Sequence, residues 1–442
     1  MLIDLFLAVG CIVYVWRRTN CRFYPSPQFI LIAVYFLYYY LGLIISYREP
    51  WVNESEYFSD LVWMIRAGFL AIFAASVLTR NWRTLRFDYY RDRFFDKARS
   101  DDAWLSKHLY PLWIVMAFVI FIYLLLIPVQ PIQVMFTNPA GMVEARELVT
   151  VGFDNYGFFS NFFEHFVPIT WLLLLLHGRR VAGTSLLLLN LFVLLSTGQK
   201  SPVVYVLFLY ALLIGFMRGK IAYKQNIQLG LLAAFILVAM VYYQNAHLLG
   251  SLNWEAISLS AEGLIRRIFF VGPQTVLGFL STFPDAHPFL LGANTDIPAD
   301  KIVYQAVIGL DVDGTMNSNS LAFFYAWFGN RYIALAMYFF IIMFFFITPW
   351  LLTKLSFPRN LAITGFLLFN LLLVRFNITD WYTIYFIFIL SLLVVNGLLL
   401  ITKFLLNLPV GPIVYRASVF SAVTSVLTFL YFFQGQLRSL IS

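Results

Sequence analysis

The stretch Tyr332-Ile333-Ala334-Leu335-Ala336-Met337-Tyr338-Phe339-Phe340-Ile341-Ile342-Met343-Phe344-Phe345-Phe346-Ile347-Thr348-Pro349-Trp350-Leu351-Leu352 carries no charge, and its reading decides the fold. As a helix rising about 1.5 Å per residue it reaches about 30 Å, the thickness of a bilayer's hydrocarbon core. The rest of the chain is of the same kind. Its 442 residues are 61% hydrophobic, 19% aromatic and only 12% charged, with a mean hydropathy of +0.80, whereas soluble proteins are about a quarter charged. A disordered chain, a collagen-like fibre, a coiled coil and a secreted disulfide scaffold are all excluded by this composition. The two cysteines, Cys11 and Cys21, read as free thiols. The formal charge of +8 does not imply nucleic acid, because in a membrane protein the place of each Lys and Arg says more than their sum.

Working outward from that stretch, apolar runs long enough to satisfy their own backbone in lipid recur along the chain. They are Leu2 to Trp16, Gln28 to Ser46, Asp60 to Leu78, Leu109 to Pro128, Phe159 to Leu176 and Gly183 to Ser196, then Pro202 to Met217, Ile227 to Tyr243, Tyr332 to Leu352, Ala362 to Phe376, Tyr382 to Ile401 and Val410 to Phe433. The first ends in Arg17-Arg18 without a small-residue cleavage site, so it reads as a retained span rather than a signal peptide. The expected fold is an all-α polytopic membrane protein of about 12 transmembrane helices, with a large outer loop containing short interfacial helices.

Charge tests that map, since Lys and Arg gather in alternate, cytoplasmic loops. Of the 30 basic residues, 20 fall on one side, eight of them between Arg80 and Lys107; 8 fall on the other side, and Arg66 and Arg375 lie inside spans. Acids lean the opposite way, and Glu164 lies well inside a span. Both termini are thereby expected outside. The chain reads as one integral membrane domain over 1–442, with a basic inner loop at 79–108, a first outer loop at 129–158 and a main outer loop at 244–330. The inner loop alternates charge signs, as an interfacial helix near anionic lipid does. The main outer loop holds Trp254, Phe269, Phe270 and Phe279 and is too apolar to float freely.

Several chemistries are missing. There is no GxxxxGK[ST] phosphate loop, no HExxH, no CxxC pair and no GxSxG elbow, and the five histidines show no metal-ligand spacing. Neither a metal nor a cofactor is expected. What remains is a set of outward-facing cations, acids and amides beside deep apolar helices, which suits a substrate that is anionic at one end, sugar-like at another and lipidic at a third.

The first cluster is Glu144-Ala145-Arg146-Glu147. On a helix Glu144 and Glu147 share a face, so a carboxylate can approach a sugar hydroxyl while Arg146 meets a phosphate; a solvated polar loop reads the same way. Lys200 lies in the tight outer turn Thr197-Gly198-Gln199-Lys200-Ser201-Pro202, where it can offer a point charge to phosphate or simply finish a polar turn. Arg266 and Arg267 interrupt the apolar run Gly263 to Phe270, and two such guanidiniums call for a diphosphate or for snorkelling to lipid phosphate. Asp311, Asp313, Asn317 and Asn319 form a polar knot before the aromatic run Leu321 to Phe328, suited to sugar hydroxyls, with Asp313 a candidate general base. Arg331 comes directly after that run. Arg66, Glu164 and Arg375 are intramembrane, and they either serve a cavity or form structural ion pairs.

On these features the chain resembles the Wzy-type oligosaccharide repeat-unit polymerases, also called O-antigen polymerases. The similarity lies in the many spans, the large outer loop of the second half, the hairpin Thr197 to Pro202, and the run Asn317-Ser318-Asn319-Ser320-Leu321 to Phe328-Gly329 before a span. The resemblance implies transfer of a nascent glycan from undecaprenyl pyrophosphate to a sugar hydroxyl of the next lipid-linked repeat unit, at the periplasmic face of a bacterial inner membrane, in lipopolysaccharide biosynthesis. It implies lipid-linked glycan substrates, membrane lipids and a chain-length regulator protein as partners. Under it Arg146, Lys200, Arg266, Arg267 and Arg331 stabilise the diphosphate leaving group, Glu144, Glu147 or Asp313 deprotonates the acceptor, Asn317 or Asn319 orients the sugar, and Arg66 or Arg375 lines a groove for the polyprenyl tail.

Two other classes compete. A flippase for lipid-linked oligosaccharide generally has short loops and two repeated halves, unlike the asymmetry seen here. A glycosyltransferase using a polyprenyl-phosphate monosaccharide commonly has paired acids in its first outer loop, and Glu54 and Glu56 keep that reading open.

Overall fold

The computed structural model describes residues 2–19, 25–47, 49–96, 103–138, 141–197, 201–219, 223–248, 254–291, 299–309, 316, 318–354, 357–376 and 381–406. Among them there is no strand. The first half consists of α1 (Leu2–Arg18), α2 (Pro27–Ser46), α3 (Phe58–Leu78), α4 (Phe87–Asp96), α5 (Ala103–Leu126), α6 (Met142–Thr150), α7 (Tyr156–Leu176), α8 (Arg180–Ser196), α9 (Ser201–Arg218) and α10 (Tyr223–Leu248). Then come α11 (Trp254–Phe269), α12 (Val271–Ser281), α13 (Ala299–Ile308) and α14 (Ser320–Phe328), followed by α15 (Arg331–Lys354), α16 (Arg359–Phe376) and α17 (Trp381–Leu406).

Among the described residues, six helices are long and apolar enough to cross a membrane: α2, α3, Leu109–Leu126 within α5, α7, α9 and α15. Three shorter apolar helices join them, α8, Lys224–Ala239 within α10 and Tyr385–Ile401 within α17. The protein is therefore an all-α, multi-pass membrane protein. The expected last span, Val410 to Phe433, lies outside the described residues, as does Cys21; Cys11 is a free thiol.

At the centre stands α16, packed against α2, α4, α7, α9, α15 and α17. A helix apolar on every side belongs in a core, and Leu361, Ile363, Phe366, Leu367, Leu368, Phe369, Leu372 and Leu373 are all buried. Its buried Asn370 donates to the Phe366 carbonyl at 2.7 Å, which satisfies that amide nitrogen within the helix. In the basic segment between α3 and α5, α4 lays Phe87 and Tyr90 on the Phe366 ring, with the Tyr90 and Phe366 rings stacked at 4.1 Å, and the Tyr90 hydroxyl donates to the Pro349 carbonyl at 2.8 Å.

Polar contacts sort by end. At the end that carries the basic segments, Arg80 meets Tyr14 at 3.0 Å and Asn360 meets His177 at 2.9 Å. At the opposite end Arg331 pairs with Asp60 at 2.7 Å and the Tyr57 hydroxyl donates to Asp285. Successive helices running up and down produce this sorting, and the second end is called the outer end below.

The outer segment is built around a small core of its own, Phe279, Phe283, Leu290, Ala299, Val303, Met316, Ala322 and Ala326. Helices α11 and α12 also pack on α2, and α12 on α3. Gly329 ends α14 with φ of 65°, a left-handed cap that favours glycine. In the first turn of α13, Asp300 is only 5% exposed. Burial pushes its carboxyl up from 3.8, against hydrogen bonds from its own N–H and that of Lys301. A carboxyl with a folded pKa above its unfolded one keeps its proton longer in the native state, so stability falls as pH rises through the interval that opens near 3.8. Asp300→Asn is expected to raise the melting temperature at neutral pH and to leave it unchanged in acid below that interval; thermal melts at the two pH values check this.

Candidate functional site

Two π-turns decide which polar groups meet at the outer end. One, Phe36–Tyr40, interrupts α2; the other, Phe162–Phe166, interrupts α7. A π-turn inserts one residue into an α-helix and rotates the remainder of the helix by about 100°, a costly irregularity that is frequent at functional sites.

The turn in α7 carries Glu164 and the buried His165. Glu164 accepts from Arg375 Nη1 at 2.6 Å and from Ser160 Oγ at 3.1 Å. Both members of this pair are well enclosed, with side chains 15% and 11% exposed for Arg375 and Glu164. The Arg375 guanidinium also lies over the Tyr205 ring, 5.0 Å from its centroid, a cation–π contact strengthened by desolvation. Next to Ser160 stands Tyr156, whose hydroxyl is within reach of Ser160 and Thr197 and within the field of Arg146.

The turn in α2 carries Tyr38, Tyr39 and Tyr40. Tyr38 feels the charge of Arg267 and lies near Tyr205, so the two π-turns converge on one aromatic side chain of α9. Tyr39 is beside Ser318, whose hydroxyl accepts from Thr275 at 3.2 Å. Three of the tyrosines each lie in the field of one guanidinium, Tyr38 in that of Arg267, Tyr156 in that of Arg146 and Tyr205 in that of Arg375, and Glu164 acts on both Tyr156 and Tyr205. Arg375 is enclosed between apolar helices, where a guanidinium calls for an anionic partner.

The residues expected from sequence divide into those near this cluster and those elsewhere. Arg146 is half-buried on α6 toward Tyr156, while Glu144 and Glu147 are exposed on the same helix. Arg266 and Arg267 are exposed in the last turn of α11, where cations complement the helix dipole. Asn319 is buried and committed to the start of α14: its Oδ1 accepts from the Ala322 N–H at 2.8 Å, and its side chain lies beside the Tyr35 hydroxyl. Arg331 is engaged by Asp60 and lies over Trp63 at 5.2 Å. Arg66 pairs with Asp4 at 2.7 Å, away from Glu164. Lys200, Asp313 and Asn317 lie outside the described residues, although Thr197 and Ser201 on either side of the Lys200 turn are described. The three tyrosines carry no motif that singles them out in the sequence.

Among the described residues no group of three or more His, Cys, Asp or Glu is arranged to hold a metal ion. Comparison with family models, with curated proteins and with solved structures gave no match.

Proposed function

We propose that this multi-pass membrane protein is a glycosyltransferase of the polysaccharide-polymerase kind, joining undecaprenyl-pyrophosphate-linked repeat units into a bacterial surface polysaccharide at the outer face of the inner membrane. One observation carries the reading: at the outer end of the bundle Arg375 is held over Tyr205 and against Glu164, with Arg267 and Arg146 in the fields of the neighbouring Tyr38 and Tyr156. A diphosphate leaving group takes on one further negative charge as the glycosidic C–O bond breaks, and a guanidinium fixed in advance by a ring and a carboxylate, as Arg375 is, stabilises it without reorganising. Arg266, in the same last turn of α11 as Arg267, is a further candidate to bind the leaving group, and Lys200 is proposed with it on sequence grounds. Glu144 and Glu147 are exposed on the helix that presents Arg146; in this reading one of them, or Asp313, takes the proton of the acceptor hydroxyl as general base, and Asn317 orients the sugar. Apolar helix faces beside the cluster take the polyprenyl chain.

Deletion of the gene, followed by gel analysis of surface polysaccharide, tests this directly. A single capped repeat unit in place of a ladder is the expected result, and complementation with Arg267→Ala should restore the ladder only weakly at normal protein level. Accumulation of an inward-facing lipid intermediate would instead identify a flippase, and long chains unchanged by the deletion would sink the reading.

A further inference from the structure

We propose that Glu164 is a placeholder: before substrate binds, its carboxylate occupies the position on Arg375 that a phosphate group of a lipid-linked substrate then takes. The inference rests on the reading of the site given above and names the cation that anchors the anion.

Three features of the molecule point this way. First, Arg375–Glu164 differs from the exposed ion pairs of the bundle: its side chains are 15% and 11% exposed, against 44% and 33% for Arg66–Asp4 and 43% and 44% for Arg331–Asp60. A buried pair adds little net stability over apolar packing, so stability alone does not account for it. Second, Glu164 sits on a π-turn, and its other oxygen is held by Ser160 at 3.1 Å. When the carboxylate leaves Arg375 it retains a hydrogen-bond donor, so exchange does not strand it. Third, the surroundings of Arg375 suit an anion of higher charge than one carboxylate. Tyr205 supports the guanidinium from one face at 5.0 Å, and Tyr38, on which Arg267 also acts, lies within electrostatic range of the same ring. Arg375 binds a carboxylate in the free state and offers the same planar donors to phosphate, for which guanidinium geometry is equally suited.

No bond is made or broken in this step. The incoming phosphate displaces the carboxylate, the charge on Arg375 stays compensated throughout, and Glu164 is released only when substrate is present.

The test is binding by the full-length protein purified in neutral detergent, with farnesyl diphosphate as the probe and inorganic pyrophosphate in parallel. Glu164→Gln removes the competing charge and is expected to tighten farnesyl diphosphate binding about tenfold, whereas Glu164→Gln/Arg375→Gln, which removes both charges of the pair, is expected to weaken it at least about tenfold relative to wild type. Preference for farnesyl diphosphate over pyrophosphate supports a lipid-linked anion; equal binding with the same variant pattern supports the site and assigns it to a free one. If Glu164→Gln is unstable alone, farnesyl diphosphate added during extraction should rescue it, and failure to rescue overturns the proposal. It is overturned too if Glu164→Gln binds no tighter than wild type, or if the double variant binds equally well. These outcomes are independent of the polysaccharide ladder: a deletion strain with normal polymer refutes the polymerase reading and leaves the binding pattern to be judged alone.

Discussion

Arg375→Ala and Glu164→Ala are each expected to destabilise the protein by about 3–5 kcal/mol, the range seen when one member of a buried ion pair is removed. The cost comes less from the lost 2.6 Å contact than from the charge left behind. Glu164→Ala strands a guanidinium between α7, α9 and α16, and Arg375→Ala leaves a carboxylate that keeps its bond from Ser160 but loses its counter-charge. Replacing both by alanine removes the two charges together and is expected to recover much of the loss, so the double-mutant cycle should show strong coupling. The exposed pair Arg331–Asp60 is the internal comparison. Its geometry is as short, at 2.7 Å, yet both side chains are more than 40% exposed, and Arg331→Ala is expected to cost no more than about 1 kcal/mol. Thermal unfolding in detergent measures all four variants. Singles at 164 and 375 within about 0.5 kcal/mol of wild type would show that water reaches the pair freely.

That pair also marks what the sequence reveals and what it hides. The helices were legible because each apolar run must satisfy its own backbone in lipid, and α15 matches the uncharged stretch Tyr332 to Leu352 with one residue added at the start and two at the end. Pairing was not: Arg66, Glu164 and Arg375 are equivalent in sequence as intramembrane charges, yet Arg66 finds Asp4 on α1 while Glu164 and Arg375 find each other across 211 residues. Which partner is met depends on helix rotation, and rotation in α2 and α7 is set by π-turns. Such a turn adds one residue to a helix without changing its composition, so hydropathy carries no trace of it. For the same reason Tyr38, Tyr156 and Tyr205 looked like ordinary membrane aromatics. Arg331 and Asn319 show the converse. Both stood out by type and position, and in the fold one is held by Asp60 and the other caps α14.

A close backbone approach between the outer segment and the bundle supplies the second large effect. Gly42 of α2 and Gly272 of α12 face each other's helices: a Cβ on Gly42 would lie 2.4 Å from the Phe269 carbonyl oxygen, and one on Gly272 would lie 2.3 Å from that of Tyr38. Both obstacles are backbone, so no rotamer change relieves the clash and the elbow between α11 and α12 must move away from α2. That elbow lies just beyond Arg267, and Tyr38 belongs to the π-turn that faces it. Gly42→Val and Gly272→Val are each expected to lose about 1–3 kcal/mol through overpacking. The double variant should lose less than the sum, since one displacement relieves both clashes. Gly230→Ala on α10 is the control, because nothing lies within 4 Å of its Cβ and the helix gains propensity. Hydrogen exchange should show faster exchange across α11 and α12 in the two valine variants while α16 stays protected. Uniform loss of protection, α16 included, would mean that the outer segment and the bundle unfold as one unit, and that the glycine contact cannot uncouple Arg267 from Tyr38 without destroying the fold.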